Sequence, residues 1–475
     1  MKKLERRWLV LGAALIVLAS TRWGIGALAW VAPIPLLRYL RAAPPGWRAR
    51  ACLLGALVLA WTLATLKLVT APLPAVAALG YGLPLGAFAF VPYVAWDALR
   101  RRADDARAVL AFPTLVVAAE WAQARLTPLG TWGAVANTQL DDLPLLQLAS
   151  LVGIAGVGWV VSFAAAAIDR AVHAPAERAR WAAAVAALVL STHAFGSLRL
   201  ALAHDGRTVR AAAVGTDATV GGLPLPSKDE LDRYEATLFE RTREAARAGA
   251  ELVVWNEGST VVLPEDEPAF RARVARLAAE TKVELVVAYI APISLAPLRY
   301  ENEYVWFRPD GSVDHDYLKH EPVPGEPAVR GEGAPRVVDA AFGRASGAIC
   351  YDYDFPYLGL RHARAKVDVV ALPSSDWRGI DPFHTQMAAL RAIEGGFSIV
   401  RSTRMGLSAG VDPWGRLRAW QSSFETKERV LYVTLPAERA PTLYSVVGDA
   451  PVWAGLAWVL ALAASLARRR AAAAA

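Results

Sequence analysis

Cysteine is almost absent from this chain: two in 475 residues, Cys52 inside an apolar run and Cys350 in the polar half. That excludes a disulfide framework and leaves Cys350 as a thiol to be explained on its own. Charge is scarce as well, with Asp, Glu, Lys and Arg at 20% against 55% hydrophobic residues, a balance that a soluble chain of this length rarely has. The formal charge of +7 could suit a nucleic acid. The arginines, however, stand in short clusters between apolar runs and not along one amphipathic face, so no nucleic-acid partner is expected. Histidine is thin and scattered, seven in all. His315 and His320 lack partners at metal-ligand spacing and read as solvated loop residues, so no metal site is expected. Gly406-Leu407-Ser408-Ala409-Gly410 has G-x-S-x-G spacing, but VDPWGRL follows it as strand and turn. A serine nucleophile needs a strand–turn–helix setting, which this is not.

What is abundant is apolar sequence, concentrated in residues 1–200 and 447–467. Candidate spans are 8–20, 24–40, 51–70, 76–96, 107–124, 148–168, 181–199 and 448–467, judged against the roughly 20 apolar residues a helix needs to cross a bilayer. Basic clusters occur at the N-terminus, at Arg38/Arg41/Arg48/Arg50, at Arg100–Arg102 with Arg107, at Arg170/Arg178/Arg180 and at Arg468–Arg470. The alternate loops carry little more than Arg22, Lys67 and Arg125. By the positive-inside rule the clusters are cytoplasmic. The expected organisation is a transmembrane domain of about seven helices at 1–200, a domain at 208–436 on the outer side, and a C-terminal transmembrane helix at 447–467. Glu120 lies within an apolar run, where an ionisable group tends to be functional, so it is a candidate substrate-binding residue beside a structural hydrogen-bonding role. Trp132, in an outer loop, is a second candidate for lipid contact, or an interface anchor.

Residues 208–436 change character. Strand-like runs rich in Val and Ile occur at 209–216, 251–256, 283–290, 303–308, 345–351, 367–373 and 398–403, bounded by Gly, Pro and Asp. Helical runs alternate with them at 227–248, 266–281, 357–365 and 384–395, the first opening on Ser227 with Glu230 three residues on, a capping box. Alternation of this kind implies an α/β domain with helices packed on the faces of a sheet.

Three residues then stand out, each at or just after an expected strand: Glu257 after ELVVWN, Lys319 in HDYLKHEPVPGEP, and Cys350 at the end of ASGAIC. Side chains at strand ends can converge on one edge of a sheet. A thiolate is a nucleophile and a carboxylate can take its proton. An ammonium can hold the oxyanion of a tetrahedral intermediate and is expected to lower the thiol pKa. Singly, each has an ordinary reading: a capping Glu, a solvated Lys, a small buried Cys. Joint placement is what argues for chemistry.

The order Glu, Lys, Cys with these flanks resembles the carbon–nitrogen hydrolase (nitrilase) superfamily, whose triad sits in an αββα sandwich. With membrane spans before and after the domain, the chain resembles the apolipoprotein N-acyltransferase family within it. The marks are VVWNEG, YENEYVWFRPDG, YLKHEPVPGE, AICYDYDFP, PSSDW and HTQMAALRAIEGGFSIVRSTRMGLSAGVDPWGR, with FPTLVVAAEW and GTWGAVANTQLDDLPLLQLASLVGIAGVG in the membrane part. The resemblance implies Glu257 as general base, Lys319 as oxyanion cation and Cys350 as nucleophile. It also implies supporting roles for Glu326, for the backbone N–H of Tyr351 and for Asp352. The implied reaction moves a fatty acyl chain from a phospholipid, through a Cys350 thioester, to the N-terminal amine of S-diacylglyceryl-cysteine on an apolipoprotein. It implies no metal or organic cofactor, and a place in the bacterial inner membrane with the catalytic domain periplasmic. Four residues depart from the family pattern: Asn256 for Pro, Gly258 for Thr or Ser, Asp352 for Glu, and Arg404 for a small or amide residue.

Other readings remain open at this point. A membrane-tethered amidase would let water resolve the thioester, whereas the amine route needs a water-poor site. An inert paralogue would have kept the triad without turnover. A transporter would show repeated halves, which are not seen here.

Overall fold

A computed structural model describes residues 3–218 and 221–474, the last five and the first two of these without their side chains. Lys2 and the side chains of Lys3 and Arg470, from the basic clusters, therefore lie outside the described residues. The chain forms two compact units, Met1–Leu202 with Val446–Ala475, and Ala203–Ser445.

The first unit is helical. Among the described residues five helices are long and apolar enough to cross a membrane: Trp47–Leu66, Ala77–Arg100, Ile154–His173, Pro175–Ala201 and Ala450–Arg469. A helix suits that setting because it satisfies every backbone polar group within its own segment. The stretch 24–40 is not one helix but two short ones, Gly26–Ala29 and Pro33–Ala42. Pro33 has no N–H to continue a helix and a φ suited to starting one. Leu36, Leu37, Phe112, Phe163 and Trp181 pack in a common core. Several arginines of the basic clusters are matched by acids: Arg41 reaches Asp169 at 2.8 Å and Asp104 at 2.7 Å, Arg100 reaches Asp97 at 2.5 Å, and Arg170 pairs with Glu177.

Among its described residues the second unit holds twelve strands: β1 (Thr208–Val214), β2 (Leu252–Trp255), β3 (Glu284–Leu295), β4 (Leu298–Phe307), β5 (Val313–Leu318), β6 (Val338–Ala340), β7 (Gly343–Gly347), β8 (Val369–Ser375), β9 (Ser398–Arg404), β10 (Leu407–Val411), β11 (Leu417–Ser422) and β12 (Val430–Pro436). They form two six-stranded sheets, β12-β1-β2-β3-β4-β5 and β11-β10-β9-β8-β7-β6. Each sheet is parallel at its centre and antiparallel at its rims. The period-2 alternation of a strand sorts side chains between two cores. Ala211, Ala213, Leu252 and Val254 face inward to meet Ala345, Val369, Ala371 and Val400 of the other sheet. Ala212, Val214, Val253 and Trp255 face outward onto helices Lys228–Arg247 and Glu267–Thr281. The second sheet is covered likewise by Pro356–Arg364 and Phe383–Gly395. The result is the helix–sheet–sheet–helix sandwich expected from the sequence. Gly347 lets the sheets approach, since a Cβ there would lie 2.7 Å from the Tyr304 ring.

Candidate active site

Each candidate side chain leaves the end of a strand. Glu257 stands two residues past β2, on a bend where Gly258 takes φ +55°, a conformation glycine adopts without a Cβ clash. Asn256 secures that bend, accepting from Thr216 N at 2.8 Å and donating to Glu257 O at 2.9 Å. Lys319 directly follows β5, its N–H bonded to Asn302 O of β4 at 2.9 Å.

These residues make one buried knot. Lys319 Nζ donates to Glu257 Oε1 and to Glu326 Oε2, both at 2.8 Å. Asn302 Nδ2 donates to the same Glu257 oxygen, Oε1, at 2.7 Å and to the other oxygen of Glu326, Oε1, at 2.8 Å. Val323 N adds a bond to Glu326 Oε2 at 2.9 Å. Lys319 is 1% exposed. Burial alone would lower its pKa, but Glu257 and Glu326 reverse this and hold the ammonium well above its usual range. Burial pushes Glu326 up, while Lys319 pulls it down further, leaving it below the ordinary carboxylate value.

Cys350 departs from expectation in two ways. It does not end a strand: β7 stops at Gly347, and Cys350 opens a short 3₁₀ turn, Cys350–Asp354, with φ +46°. A non-glycine residue at such an angle is held there by its surroundings, and such residues concentrate at functional sites. Nor is its thiol pKa lowered. Burial pushes it well above the usual range, Glu257 adds to that, and Lys319 opposes it without prevailing. The resting group is a neutral thiol, which donates to Ser375 O at 3.5 Å. Its electrostatic coupling to Glu257 and Lys319 places it beside the knot.

Asp352 builds the turn. Oδ1 accepts from His320 N at 3.0 Å and Glu321 N at 2.8 Å; Oδ2 accepts from Ile349 N at 2.9 Å and Tyr317 Oη at 2.8 Å. Burial raises its pKa to about 6 against the pull of these donors, so it is ionised at neutral pH. Tyr351, buried next to Cys350, packs edge-on against Phe355.

Several residues at the site carried no individual signal in the sequence. Asn302 and Tyr300 sit two apart on β4, and strand alternation was the one clue that they share a face. Asp376, just past β8, His384 in Phe383–Gly395, and Arg401 on β9 are all buried. Cys350, Asp376 and His384 each have a ligand-type atom within 4.8 Å of the others. They do not make a metal cage, because both ring nitrogens of His384 are bonded to carboxylates, Asp376 at 2.7 Å and Asp354 at 3.1 Å. His315 and His320 are not solvated. His315 lies between Asp314 at 2.9 Å and Tyr304 Oη at 3.2 Å, and His320 contacts Leu318 O and Gly333 O at 2.9 and 3.2 Å. His315 sits on the buried face of β5 and His320 just past its end, which local spacing does not reveal. Arg404 bonds Ser375 Oγ at 2.9 and 3.1 Å and also bonds Ala218 O.

The first unit holds the other two candidates. Glu120, on helix Ala106–Leu126, accepts from Val135 N at 2.8 Å and lines an otherwise largely apolar cavity with Gln123, Trp61, Tyr93 and Phe112. Trp132 is not part of that lining; its carbonyl accepts from Gln123 Nε2 at 2.7 Å.

Comparison with known proteins covers both units. Residues 210–443 match the carbon-nitrogen hydrolase family, and residues 12–167 match the apolipoprotein N-acyltransferase N-terminal domain. An apolipoprotein N-acyltransferase from Geobacter metallireducens is 27% identical, the match covering 97% of this chain and 95% of that one. One from Bradyrhizobium diazoefficiens is 31% identical over 77% of this chain and 74% of its own. Among solved structures, an amidase from Nesterenkonia sp. is 22% identical with a TM-score of 0.40, covering 50% of this chain and 94% of the amidase.

Proposed function

The chain belongs to the apolipoprotein N-acyltransferase family and is a membrane-embedded acyltransferase, and on that premise we propose that Cys350 carries the acyl group between two lipid substrates. Family membership favours this over hydrolysis of an amide. The donor is a phospholipid and the acceptor the α-amine of S-diacylglyceryl-cysteine on an apolipoprotein, met at the periplasmic face of the inner membrane.

The observation that carries the reading is the buried Lys319 ammonium, bridged at 2.8 Å to both Glu257 and Glu326 and coupled to the Cys350 thiol. Glu257 takes the thiol proton as Sγ attacks the ester carbonyl, and the oxyanion forms against Lys319 with the Tyr351 N–H as a second donor. Collapse breaks the ester C–O bond. The lysophospholipid oxygen leaves with the proton from Glu257, and the acyl chain stays on Sγ. The acceptor amine then attacks the thioester, gives its proton to Glu257 and leaves as the amide, while Sγ recovers its proton. Glu326 binds no reacting atom in this scheme. It shares the charge of Lys319, so that Glu257 is not neutralised outright and remains a base.

The test is mass spectrometry of the purified protein after incubation with phosphatidylethanolamine and no acceptor. A fatty-acyl adduct on the Cys350 peptide, released by hydroxylamine and missing in Cys350→Ala, is expected. It should pass to the amine of a diacylglyceryl peptide added afterwards. A folded protein with a titratable Cys350 that never gains the adduct would refute a phospholipid donor.

A further inference from the structure

Beside Cys350, and sharing no hydrogen bond with Glu257 or Lys319 among those described, lies a second buried charge cluster that the acyl-transfer scheme leaves unused. Asp376 Oδ1 meets His384 Nδ1 at 2.7 Å, and Asp354 Oδ1 meets His384 Nε2 at 3.1 Å. Arg401 donates to both oxygens of Asp376, at 2.9 and 3.1 Å. All four side chains are buried. A neutral imidazole has one N–H, whereas here both ring nitrogens face carboxylate oxygens, which favours the doubly protonated ring, with Arg401 Nη2 also 3.1 Å from Nδ1. Burial acts against that cation, but Asp354 and Asp376 outweigh it and raise the His384 pKa to about 9.

The cluster joins the two pieces of backbone that fix the thiol. Asp354 closes the Cys350–Asp354 turn, whose first residue is held at φ +46°. Asp376 follows Ser375, whose carbonyl accepts from Sγ at 3.5 Å. We propose that His384 is a positioning residue for the nucleophile: its imidazolium clamps the turn bearing Cys350, through Asp354, to the end of β8, through Asp376, and loss of one ring proton opens the clamp. The charged groups facing the ring are Asp354, Asp376 and Arg401, with the Cys350 thiol beside them. Once the ring is neutral it has one N–H and can donate to only one of the two carboxylates, so the link between the turn and the end of β8 is broken on one side and the turn can shift.

This inference rests on Cys350 forming the thioester, and the test separates the two. The rate of acyl-adduct formation from phosphatidylethanolamine in detergent, without acceptor, would be followed by intact-protein mass spectrometry from pH 6 to 10.5. Rising pH favours thiolate, so a simple thiol should accelerate throughout. The clamp instead makes the wild-type rate fall above about pH 9, by about tenfold for each further unit. Asp354→Asn removes one of the two carboxylates holding the proton and keeps the shape of the turn. It should move that fall to lower pH by about one unit with the lipid KM within twofold of wild type. His384→Gln should slow acylation and abolish the fall, and adding Asp354→Asn should restore part of the rate, because an amide pair re-forms the hydrogen bond without charge. A wild-type rate that stays level or keeps rising to pH 10.5 would overturn the proposal. So would an Asp354→Asn profile superimposable on wild type, which stays informative even if His384→Gln fails to fold. Absence of any adduct in the wild type would refute the acyl-transfer reading itself.

Discussion

Replacing Lys319 by Met deletes the one ammonium between Glu257 and Glu326 while keeping most of the side-chain volume. Two carboxylates then share a buried pocket in which Asn302 Nδ2 is their common donor. Breaking a buried ion pair by removing one partner costs about 3–5 kcal/mol, because the remaining charge is uncompensated. Here the loss has a ceiling. One glutamate can take up a proton and donate to the other, and at pH 7 protonating a group of unfolded pKa near 4.3 costs about 3.7 kcal/mol at 1.36 kcal/mol per unit. The sign follows. In the variant the folded state binds a proton that the unfolded chain releases above about pH 4.3, so its deficit relative to wild type shrinks as pH falls. In the wild type Glu326 is held below its ordinary value, and the stability it supplies is lost as pH falls, which narrows the gap further. The deficit should therefore be about 4 kcal/mol at pH 7 and about 1 kcal/mol at pH 5. For a folded unit of this size that is a Tm drop of roughly 8–16 °C at pH 7 and a few degrees at pH 5. Tryptophan-fluorescence melts of both proteins in the same detergent, at pH 5, 6 and 7, measure it. A deficit independent of pH, or below about 1 kcal/mol at pH 7, would refute the reasoning and would mean that Arg404, which couples electrostatically to Glu257, already neutralises the pair.

Two further outcomes follow from the packing around Cys350. Gly347→Ala drives a methyl to 2.7 Å from the Tyr304 ring between the sheets; overpacking of this kind costs about 1–3 kcal/mol, and a melt of the variant unchanged within a degree would show that the sheets can part freely there. Asp352→Asn sets an NH₂ against two of the four donors that Asp352 accepts. Thioester formation should fall by about a hundredfold, the scale of a 1 Å misplacement, in rapid-quench acylation assays; a rate within threefold of wild type would mean the turn holds its shape without that carboxylate.

The sandwich was readable because its central strands are largely buried on both faces and so carry short apolar runs, AAAV in β1, LVVW in β2 and VVAL in β8. The strands that escaped notice were β5, β6, β11 and β12, which form the four rims of the two sheets, and β10 beside one of them. Rim strands are solvated on one edge, and β11, LRAWQS, has only its last residue buried, so no apolar run marks it. All four helical runs of this region correspond to helices in the structure, the first with its Ser227–Glu230 capping box formed. The same contrast applies to the site. Glu257 follows β2 closely enough for sequence to suggest it, whereas Lys319 was suggested by its place after the strand and turn of EYVWFRPDG, β5 itself giving no apolar run. His384 and Arg401 lie in a helix and a strand that read as ordinary core, and only the crossing of β8 beside β9 brings Asp376 to them.

The four departures from the family pattern can now be weighed by what they touch. Asn256 and Gly258 shape the bend that carries Glu257, and Asp352 gathers backbone donors under Cys350. These three act on the scaffold, so their first effect is on where the proposed triad of Glu257, Lys319 and Cys350 sits. Arg404 differs, because it brings a further cation into electrostatic range of Cys350 and Glu257. With it, the charges around the thiol pair off: Lys319, Arg404, Arg401 and His384 against Glu257, Glu326, Asp376 and Asp354. Asp352 stands apart, compensated by its four donors. Bringing the Cys350 proton to Glu257 leaves that balance unchanged, since one negative charge disappears from the carboxylate as another forms on Sγ. In a site this dry, forming a thiolate from a neutral thiol with no such exchange would strand a charge at a cost of several kcal/mol. The raised thiol pKa is thus no obstacle to catalysis. In the proposed scheme it keeps Cys350 protonated and unreactive until an ester carbonyl arrives to take up the charge that leaves Glu257.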